Sequence, residues 1–255
     1  MLKVLLSPSK TMDFKLQCTV KNNSIPVFIK ESQELIDILR QLDKDELIKL
    51  MKISPSLASI NYQRFKNWHF PFINGEALPA VFAFKGDVYE GLRADKFTLS
   101  DLEFAMKKIR IISGLYGLLR PLDLIMPYRL EMGTKLHNSK GKNLYKFWGD
   151  KITTEINKSV EETGANHIIN LASAEYFKAI NVKKLHKPLI TPVFMEAKGG
   201  NYEVVGVHAK RARGLMASFI ITNRIVNVED LKEFKSEKYN YTSSMSTEYD
   251  WVFSR

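Results

Sequence analysis

Cysteine is almost absent from this 255-residue chain, which contains only Cys18. A single cysteine excludes an internal disulfide bond and every metal site built from several thiolates. Cys18 is interpreted either as a small buried hydrophobic side chain or as a reactive thiol, and the first role is the more common one. We therefore expect the chemistry of this protein to come from other side chains.

Long apolar runs and familiar catalytic motifs are missing as well. The first segment, MLKVLLSPSK, is too short an apolar run for a signal sequence or a membrane helix, and we expect a cytoplasmic protein without membrane contact. The five histidines show no HExxH spacing, no serine lies in a nucleophile elbow, and no GxGxxG follows a strand. These absences argue against a zinc hydrolase, a Ser-His enzyme and a dinucleotide-binding fold. We expect no metal and no cofactor.

Negative charge is scarce in two windows of the sequence. Basic residues outnumber acidic ones by 38 to 28, which gives a formal net charge of +10. No acidic residue lies between Glu131 and Asp150, or between Glu175 and Glu196, although several lysines do. Clustered positive charge attracts phosphate groups over about 8–10 Å. The charge favours nucleic acid as a partner, and solubility alone is the alternative.

Strands and helices alternate through much of the chain, which predicts one α/β domain over residues 1–255 with a mixed central sheet. Apolar runs predict strands at 4–7, 80–84, 109–113, 167–171, 189–195 and 202–209. We predict helices at 28–42 from helical apolar spacing, at 100–108 with Ser100 or Asp101 as the cap, at 144–162 from amphipathic character and at 214–226 from a mainly apolar run. The run at 167–171 is apolar throughout, which indicates a strand at the centre of the sheet.

One segment, SGLYGLLRPLDLIMPYRLEMG at residues 113–133, combines glycines, prolines and charged residues with a largely apolar character. This composition indicates a buried irregular loop, in which charged side chains must be paired or used on a ligand. Other polar turns follow predicted strands at 7–11, 85–91 and 173–176. Ligands of open α/β sheets bind at strand ends, so we expect these turns to converge on one site. Its candidate catalytic residues are Lys10, Asp87, Arg120, Arg129, Glu131 and Glu175.

Residues 43–69 read as two helices separated by a tight turn. Asp43 and Glu46 have the spacing of a capping box, and Ser54-Pro55 has the pattern of a second helix start. Such a pair is either a helix-hairpin-helix element that binds DNA phosphates through its backbone or a plain helical hairpin packed on the core. The candidate DNA-binding residues of the chain are Lys52, Ser54, Arg64, Lys66, Lys135, Lys142, Lys146, Lys183, Lys184, Lys210, Arg211 and Arg213.

Several sequence blocks resemble the YaaA family of bacterial peroxide stress resistance proteins. They include LLSPSKTMDF at 5–14, AFKGDVYEGL at 83–92, ISGLYGLLRPLDLIMPYRLEMG at 112–133, NLYKFWGDKIT at 143–153, INLASAEYFKAI at 169–180 and AKRARGLMASFIITNRI at 209–225. The resemblance implies a cytosolic protein that limits iron-linked oxidative damage to DNA. It also implies an α/β fold with a positively charged cleft, a helix-hairpin-helix element and binding of double-stranded DNA.

Two functions are therefore expected for this sequence. The first is a DNA-binding protection protein, whose affinity falls steeply with salt because lysines and arginines neutralise phosphates. The second is an enzyme that acts on a nucleotide-like ligand or a damaged nucleobase, for example by glycosidic-bond hydrolysis at the strand-end cluster. A structural salt bridge is the alternative for each of the carboxylates Asp87, Glu131 and Glu175.

Overall fold

A mixed sheet forms the centre of the molecule. The computed structural model describes residues 1–15, 22–73 and 75–255, so Cys18 lies outside the described residues. The strands are β1 (Leu2–Leu6), β2 (Thr11–Met12), β3 (Leu78–Pro79), β4 (Phe84–Lys85), β5 (Ile109–Ser113), β6 (Gly117–Leu119), β7 (Leu124–Ile125), β8 (His167–Leu171), β9 (Leu189–Lys198), β10 (Asn201–Glu203), β11 (Asn240–Tyr241) and β12 (Asp250–Ser254).

Helices cover the sheet and connect its strands. They are α1 (Ile29–Leu39), α2 (Lys44–Met51), α3 (Pro55–Asn67), α4 (Ala80–Ala83), α5 (Asp87–Leu92), α6 (Leu99–Lys108), α7 (Leu144–Trp148), α8 (Lys151–Thr163), α9 (Ala174–Phe177) and α10 (Gly206–Thr222). Within the described ranges, none of these helices has the length and apolar character to cross a bilayer.

The strand order in the main sheet is β11-β12-β9-β8-β1-β5-β6, and β10 pairs with β9 beside this path. Neighbours from β12 to β5 are parallel, whereas β11, β6 and β10 pair antiparallel. The predicted α/β class with a mixed sheet is confirmed. The parallel strands end together at what we call the carboxyl edge and begin together at the amino edge. As predicted, β8 lies inside the sheet, between β1 and β9.

Of the strand predicted at 80–84, residues 80–83 form the short helix α4 and only Phe84 is extended, in β4. The amide of Ala80 donates to the carbonyl oxygen of Asp123, and that of Val81 donates to the carbonyl oxygen of Pro121. A short apolar run does not by itself distinguish a strand from a buried helical turn. The neighbouring loop decides here, because it supplies the hydrogen-bond acceptors.

The predicted helix over 144–162 is interrupted and forms α7 and α8. Gly149 adopts φ +50° and ψ −126°, which is outside the helical region. The preceding residue, Trp148, is buried and donates its indole N–H to the carbonyl oxygen of Gly114 at 3.0 Å. The break therefore allows Trp148 to reach the core, while Gly164 ends α8 in a left-handed conformation, as its sequence predicts.

The start of α10 is a second correction to the predicted elements. The predicted strand at 202–209 is only the three-residue β10, and α10 begins at Gly206, eight residues before the predicted start. The basic group Lys210, Arg211 and Arg213 therefore lies on a helix. In α6 the cap is Thr98, whose hydroxyl accepts from the amide of Asp101 at 3.2 Å, so the cap lies before both predicted positions.

The two helices predicted at 43–69 are α2 and α3. Asp43 and Glu46 form the predicted capping box, with two bonds of 2.8 Å, and Ser54 accepts from the amide of Leu57 at 3.3 Å. Lys52 ends α2 in a left-handed conformation, and Ile53 is buried between the helices and the core. These contacts explain the tight turn, whereas a DNA-binding helix-hairpin-helix role stays a prediction.

Candidate functional site

Three polar turns meet where β1, β5 and β8 end at the carboxyl edge. The amide of Ser173 donates to Oγ of Ser7 at 2.8 Å, and the two serine hydroxyls are 3.3 Å apart. From α5, the hydroxyl of Tyr89 donates to the carbonyl oxygen of Ser7 at 3.0 Å. Parallel pairing of β1 with both β5 and β8 places these strand ends together. The structure thus brings together residues that are up to 166 positions apart in the chain.

An ion-pair cluster lies on this edge, and Glu131 is its central residue. Nζ of Lys10 is 2.9 Å from Oε2 of Glu131, and Nη2 of Arg129 is 2.8 Å from Oε1. Nε of Arg129 also donates to Oε1 at 3.0 Å, so the guanidinium binds one carboxylate oxygen through two N–H groups. The Glu131 side chain is 21% exposed, which leaves it accessible to a small ligand.

Glu175 joins the same edge through the loop that follows Glu131. Its Oε1 accepts from the amide of Gly133 at 2.9 Å, and its carbonyl oxygen accepts from the hydroxyl of Tyr145, also at 2.9 Å. A Cβ atom at Gly133 would lie 3.0 Å from this carboxylate oxygen, so glycine permits the close approach. Two carboxylates, Glu131 and Glu175, therefore flank one loop.

Buried tyrosines line the interior side of the cluster, and sequence reasoning did not select them. The hydroxyl of Tyr128 is 2.7 Å from Oγ of Ser113. Burial is the main cause that raises the pKa of Tyr89, Tyr128 and Tyr176 above its usual value. They remain neutral hydroxyls at physiological pH and provide hydrogen bonds rather than charge. The sequence signal that could have selected these tyrosines is their position beside the predicted strand-end turns.

The structure places Asp87 near the carboxyl edge and Arg120 at the amino edge of the sheet. Asp87 begins α5 directly after Gly86, whose φ is +100° and whose Cβ position lies 3.2 Å from Oγ of Ser9. Asp87 is therefore next to the turn that carries Lys10. Arg120 instead follows β6, which runs antiparallel to β5 and returns to the amino edge. Its Nη2 is 2.9 Å from Oδ1 of Asp123, so Arg120 is not a member of the strand-end cluster.

Helix α3 places Arg64 near the loop that carries Arg129 of the ion-pair cluster. The pKa of Arg64 is lowered by burial and also by the positive charge of Arg129. Arg64 lines an open cavity of about 630 Å³ together with His69, Met126 and Pro127. The second helix of the predicted hairpin element and the ion-pair cluster therefore share one surface region.

The remaining predicted DNA-binding residues differ in their salt bridges and hydrogen bonds within the protein and in their exposure. Lys184 pairs with Asp150 at 2.6 Å, and Arg211 pairs with Glu237 at 2.7 Å. Lys66 donates to the carbonyl oxygen of Arg40 at 2.8 Å. Arg213 is half-buried on α10, and burial lowers its pKa. Lys66 and Lys184 are exposed despite these contacts, and the other exposed members are Lys52, Ser54, Lys135, Lys142, Lys146, Lys183 and Lys210.

No cluster of three or more histidine, cysteine or acidic side chains suited to a metal ion occurs in the part of the chain that the structure describes. The chemistry available at the carboxyl edge is therefore that of carboxylates between cations, serine hydroxyls and neutral tyrosines.

Comparison with known proteins gives one family over nearly the full length. The model of the family described as "Peroxide stress protein YaaA" matches residues 2–245. A UPF0246 protein of Hahella chejuensis is 48% identical over 252 residues, which cover 99% of this chain and 98% of the relative. A UPF0246 protein of Aliivibrio fischeri is also 48% identical over 252 residues, and one of Burkholderia cenocepacia is 47% identical over 254 residues. The chain therefore belongs to the peroxide stress protein YaaA family.

Proposed function

We propose that this protein binds double-stranded DNA across its carboxyl edge and thereby limits iron-dependent damage to DNA. Membership of the peroxide stress protein YaaA family supports a role in peroxide stress. The observation that carries the DNA-binding proposal is that Arg64 on α3 lines the same cavity as Met126 and Pro127, in the loop that carries Arg129 of the ion-pair cluster. Two separate segments thus contribute positive charge to one surface.

The turn between α2 and α3 supports phosphate binding by backbone groups. The first turn of α3 contains no acidic residue, and Lys52, Ser54 and Ser56 at this turn are exposed. Ser54 already caps the amide of Leu57, and Pro55 has no N–H. The amide of Ser56 is thus the group offered to a phosphate oxygen, with the helix dipole favouring negative charge there. Such a contact carries no base specificity.

A lysine-rich rim extends this surface beyond Glu175. Lys135 follows Gly133, whose amide holds Glu175, and Lys142 and Lys146 lie on the way into and along α7. Tyr145 connects α7 to the same place through its bond to Glu175. Exposed lysines bind the phosphate backbone of any sequence. We attribute the limitation of iron damage to the covering of DNA rather than to iron binding by this chain.

A second candidate function is favoured by the cluster itself. Glu131 is held between Lys10 and Arg129, and Glu175 lies across the same loop. Two carboxylates in different surroundings are suited to acid and base roles in glycosidic-bond hydrolysis. This arrangement fits an enzyme that acts on a nucleotide-like ligand or a damaged nucleobase.

Fluorescence anisotropy of a labelled DNA duplex, titrated with the protein across a series of salt concentrations, tests the first proposal. We expect saturable binding, with log Kd changing linearly with log salt by about 0.9 per phosphate contacted. The double variant Lys142→Gln and Lys146→Gln should reduce this slope by about 1.8. Lys96→Gln, which removes a 68% exposed lysine outside the proposed surface, is the matched control.

Absence of binding at the lowest salt concentration would refute the DNA proposal, as would equal slopes for the double variant and the control. The Glu131→Gln variant separates the two functions. It should not weaken duplex binding, because it removes a negative charge from the proposed DNA surface, and it should abolish base release from damaged DNA if the second function holds.

A further inference from the structure

A second, separate cavity opens at the amino edge of the sheet. Its volume is about 710 Å³, and α6 forms one wall. Leu99, Leu102, Met106 and Leu122 provide an apolar floor, whereas Arg110 and Arg120 provide guanidinium groups. The ion-pair cluster lies at the opposite ends of the same strands, so this cavity is distinct from the proposed DNA surface.

Arg110 is a buried cation with incomplete partners. It is only 7% exposed, and its Nη1 donates to the carbonyl oxygens of Met106 and Ile109, both at 2.8 Å. Its Nε and Nη2 groups have no hydrogen-bond partner, and no carboxylate forms a salt bridge with it, among residues 1–15, 22–73 and 75–255. Residues 16–21 and 74 contain no acidic side chain. Asp123, Glu155 and Glu162 act on Arg110 only from beyond salt-bridge distance. A buried guanidinium without a directly paired carboxylate is costly, so the open N–H groups favour an anion.

A second guanidinium, that of Arg120, acts electrostatically on Arg110. The nearby Lys3 adds no charge at physiological pH, because its pKa is lowered to about 6, and its Nζ donates to the carbonyl oxygen of Lys107 at 2.6 Å. The pKa of Arg110 is lowered to about 10, mainly by burial and then by Arg120. Bound negative charge would relieve this repulsion.

The rim of the cavity limits how much negative charge it accepts. Glu103 and Glu162 line the cavity, and Asp123 already pairs with Arg120. These carboxylates would repel a doubly charged head group, whereas a single carboxylate matches the fork of one guanidinium. The apolar floor fits a hydrocarbon or aromatic body.

We propose that the amino-edge cavity binds a small amphipathic carboxylate, with its carboxylate on Arg110 and its apolar body over Leu102, Met106 and Leu122. Binding of an organic acid at this site would not require DNA. The proposal does not depend on the DNA-binding function.

The test uses the full-length protein and the fluorescent probe 1-anilinonaphthalene-8-sulfonate, which joins one anionic group to aromatic rings. We expect one equivalent of probe to bind, decanoate to displace it, and decanol and duplex DNA to leave it bound. Arg110→Met keeps the length of the side chain but removes its charge, and should raise the Kd of decanoate at least about tenfold. Lys49→Met, which removes an exposed lysine on α2, is the control.

Displacement by decanol as effective as by decanoate would overturn the proposal, and so would equal decanoate affinities of Arg110→Met and Lys49→Met. Circular dichroism establishes that each variant is folded. If Arg110→Met does not fold, Met106→Glu takes its place, because Met106 lines the same cavity and the substitution puts a carboxylate at the proposed position of the ligand. An unchanged decanoate affinity of Met106→Glu would then overturn the proposal.

Discussion

The buried side chain of Lys3 makes the free energy of unfolding depend on pH. It lies in β1, the strand between β8 and β5, and none of its surface is exposed. Burial, followed by the charges of Arg110 and Lys108, lowers its pKa from 10.5 to about 6. As a neutral amine it still donates to the carbonyl oxygen of Lys107. The folded chain therefore holds Lys3 without its charge at physiological pH.

The free energy of unfolding should consequently rise between about pH 6 and pH 9. In this window the folded chain has released the Lys3 proton, whereas the unfolded chain retains it up to its ordinary pKa of 10.5. The unfolded state binds more protons, so stability increases with pH. We expect a rise of about 1–3 kcal/mol that is absent from Lys3→Met. Urea denaturation of both proteins at several pH values measures it, and parallel pH profiles would contradict the prediction.

Residue identity also determines which parts of the carboxyl edge carry charge. Glu131 is ionically paired with Lys10 and Arg129, whereas Tyr89, Tyr128 and Tyr176 are neutral because burial raises the pKa of each. Charged groups therefore lie on the outer side of this edge, and buried hydroxyl groups lie on its inner side. This polarity is common to both proposed functions.

At the scale of elements, α5 and α10 pack with their backbones in direct contact. Gly91 on α5 faces Gly214 on α10, and a Cβ at Gly214 would lie 1.9 Å from the carbonyl oxygen of Val88. A Cβ at Gly91 would lie 2.3 Å from the carbonyl oxygen of Arg211. Backbone contact of this kind leaves no room for a methyl group. The contact fixes α5, and with it Tyr89 and Asp87, against the rest of the fold.

Gly214→Ala should therefore destabilise the protein by about 3 kcal/mol, because the obstructing atoms belong to the backbone and cannot rotate away. Gly206→Ala, in the first turn of the same helix, is the matched control since nothing lies within 4 Å of its Cβ position. Its unfolding free energy should be unchanged or rise by up to about 1 kcal/mol. Thermal and urea unfolding compare the two, and equal effects would show that the helices separate easily.

At the scale of the whole molecule, the strand β12 completes one side of the hydrophobic core. β12 pairs in parallel with β9, and Trp251, Val252 and Phe253 on it are buried. The ring of Phe253 is 5.6 Å from that of Phe194 and 5.8 Å from that of Phe234. Residues distant in the sequence thus complete the core on this side of the sheet.

Phe253→Ala should lower the free energy of unfolding by about 3–5 kcal/mol, because it removes a fully buried aromatic ring. Tyr249→Ala changes a side chain that is 55% exposed just before the same strand, and should have an effect within about 0.5 kcal/mol. Urea denaturation measures both. A small loss for Phe253→Ala would mean that the tail is not part of the cooperative core.

The sequence by itself determined the elements whose signals are local. Hydrogen bonds within a few residues explain why the capping box at Asp43, the start of α3 at Ser54 and the end of α8 at Gly164 were predictable. The apolar run of β8 also indicated its interior position, because a strand buried on both faces needs no polar alternation.

The tertiary structure alone decided features that depend on distant partners. The helix at 80–83 follows from acceptors at Pro121 and Asp123, and the break at Gly149 accompanies burial of Trp148. Strand order placed Lys10, Arg129 and Glu131 at one edge and Arg120 at the other. No local pattern contains this information, since chain direction through the sheet determines which edge each loop reaches. The same topology created the amino-edge cavity, for which the sequence offered no motif.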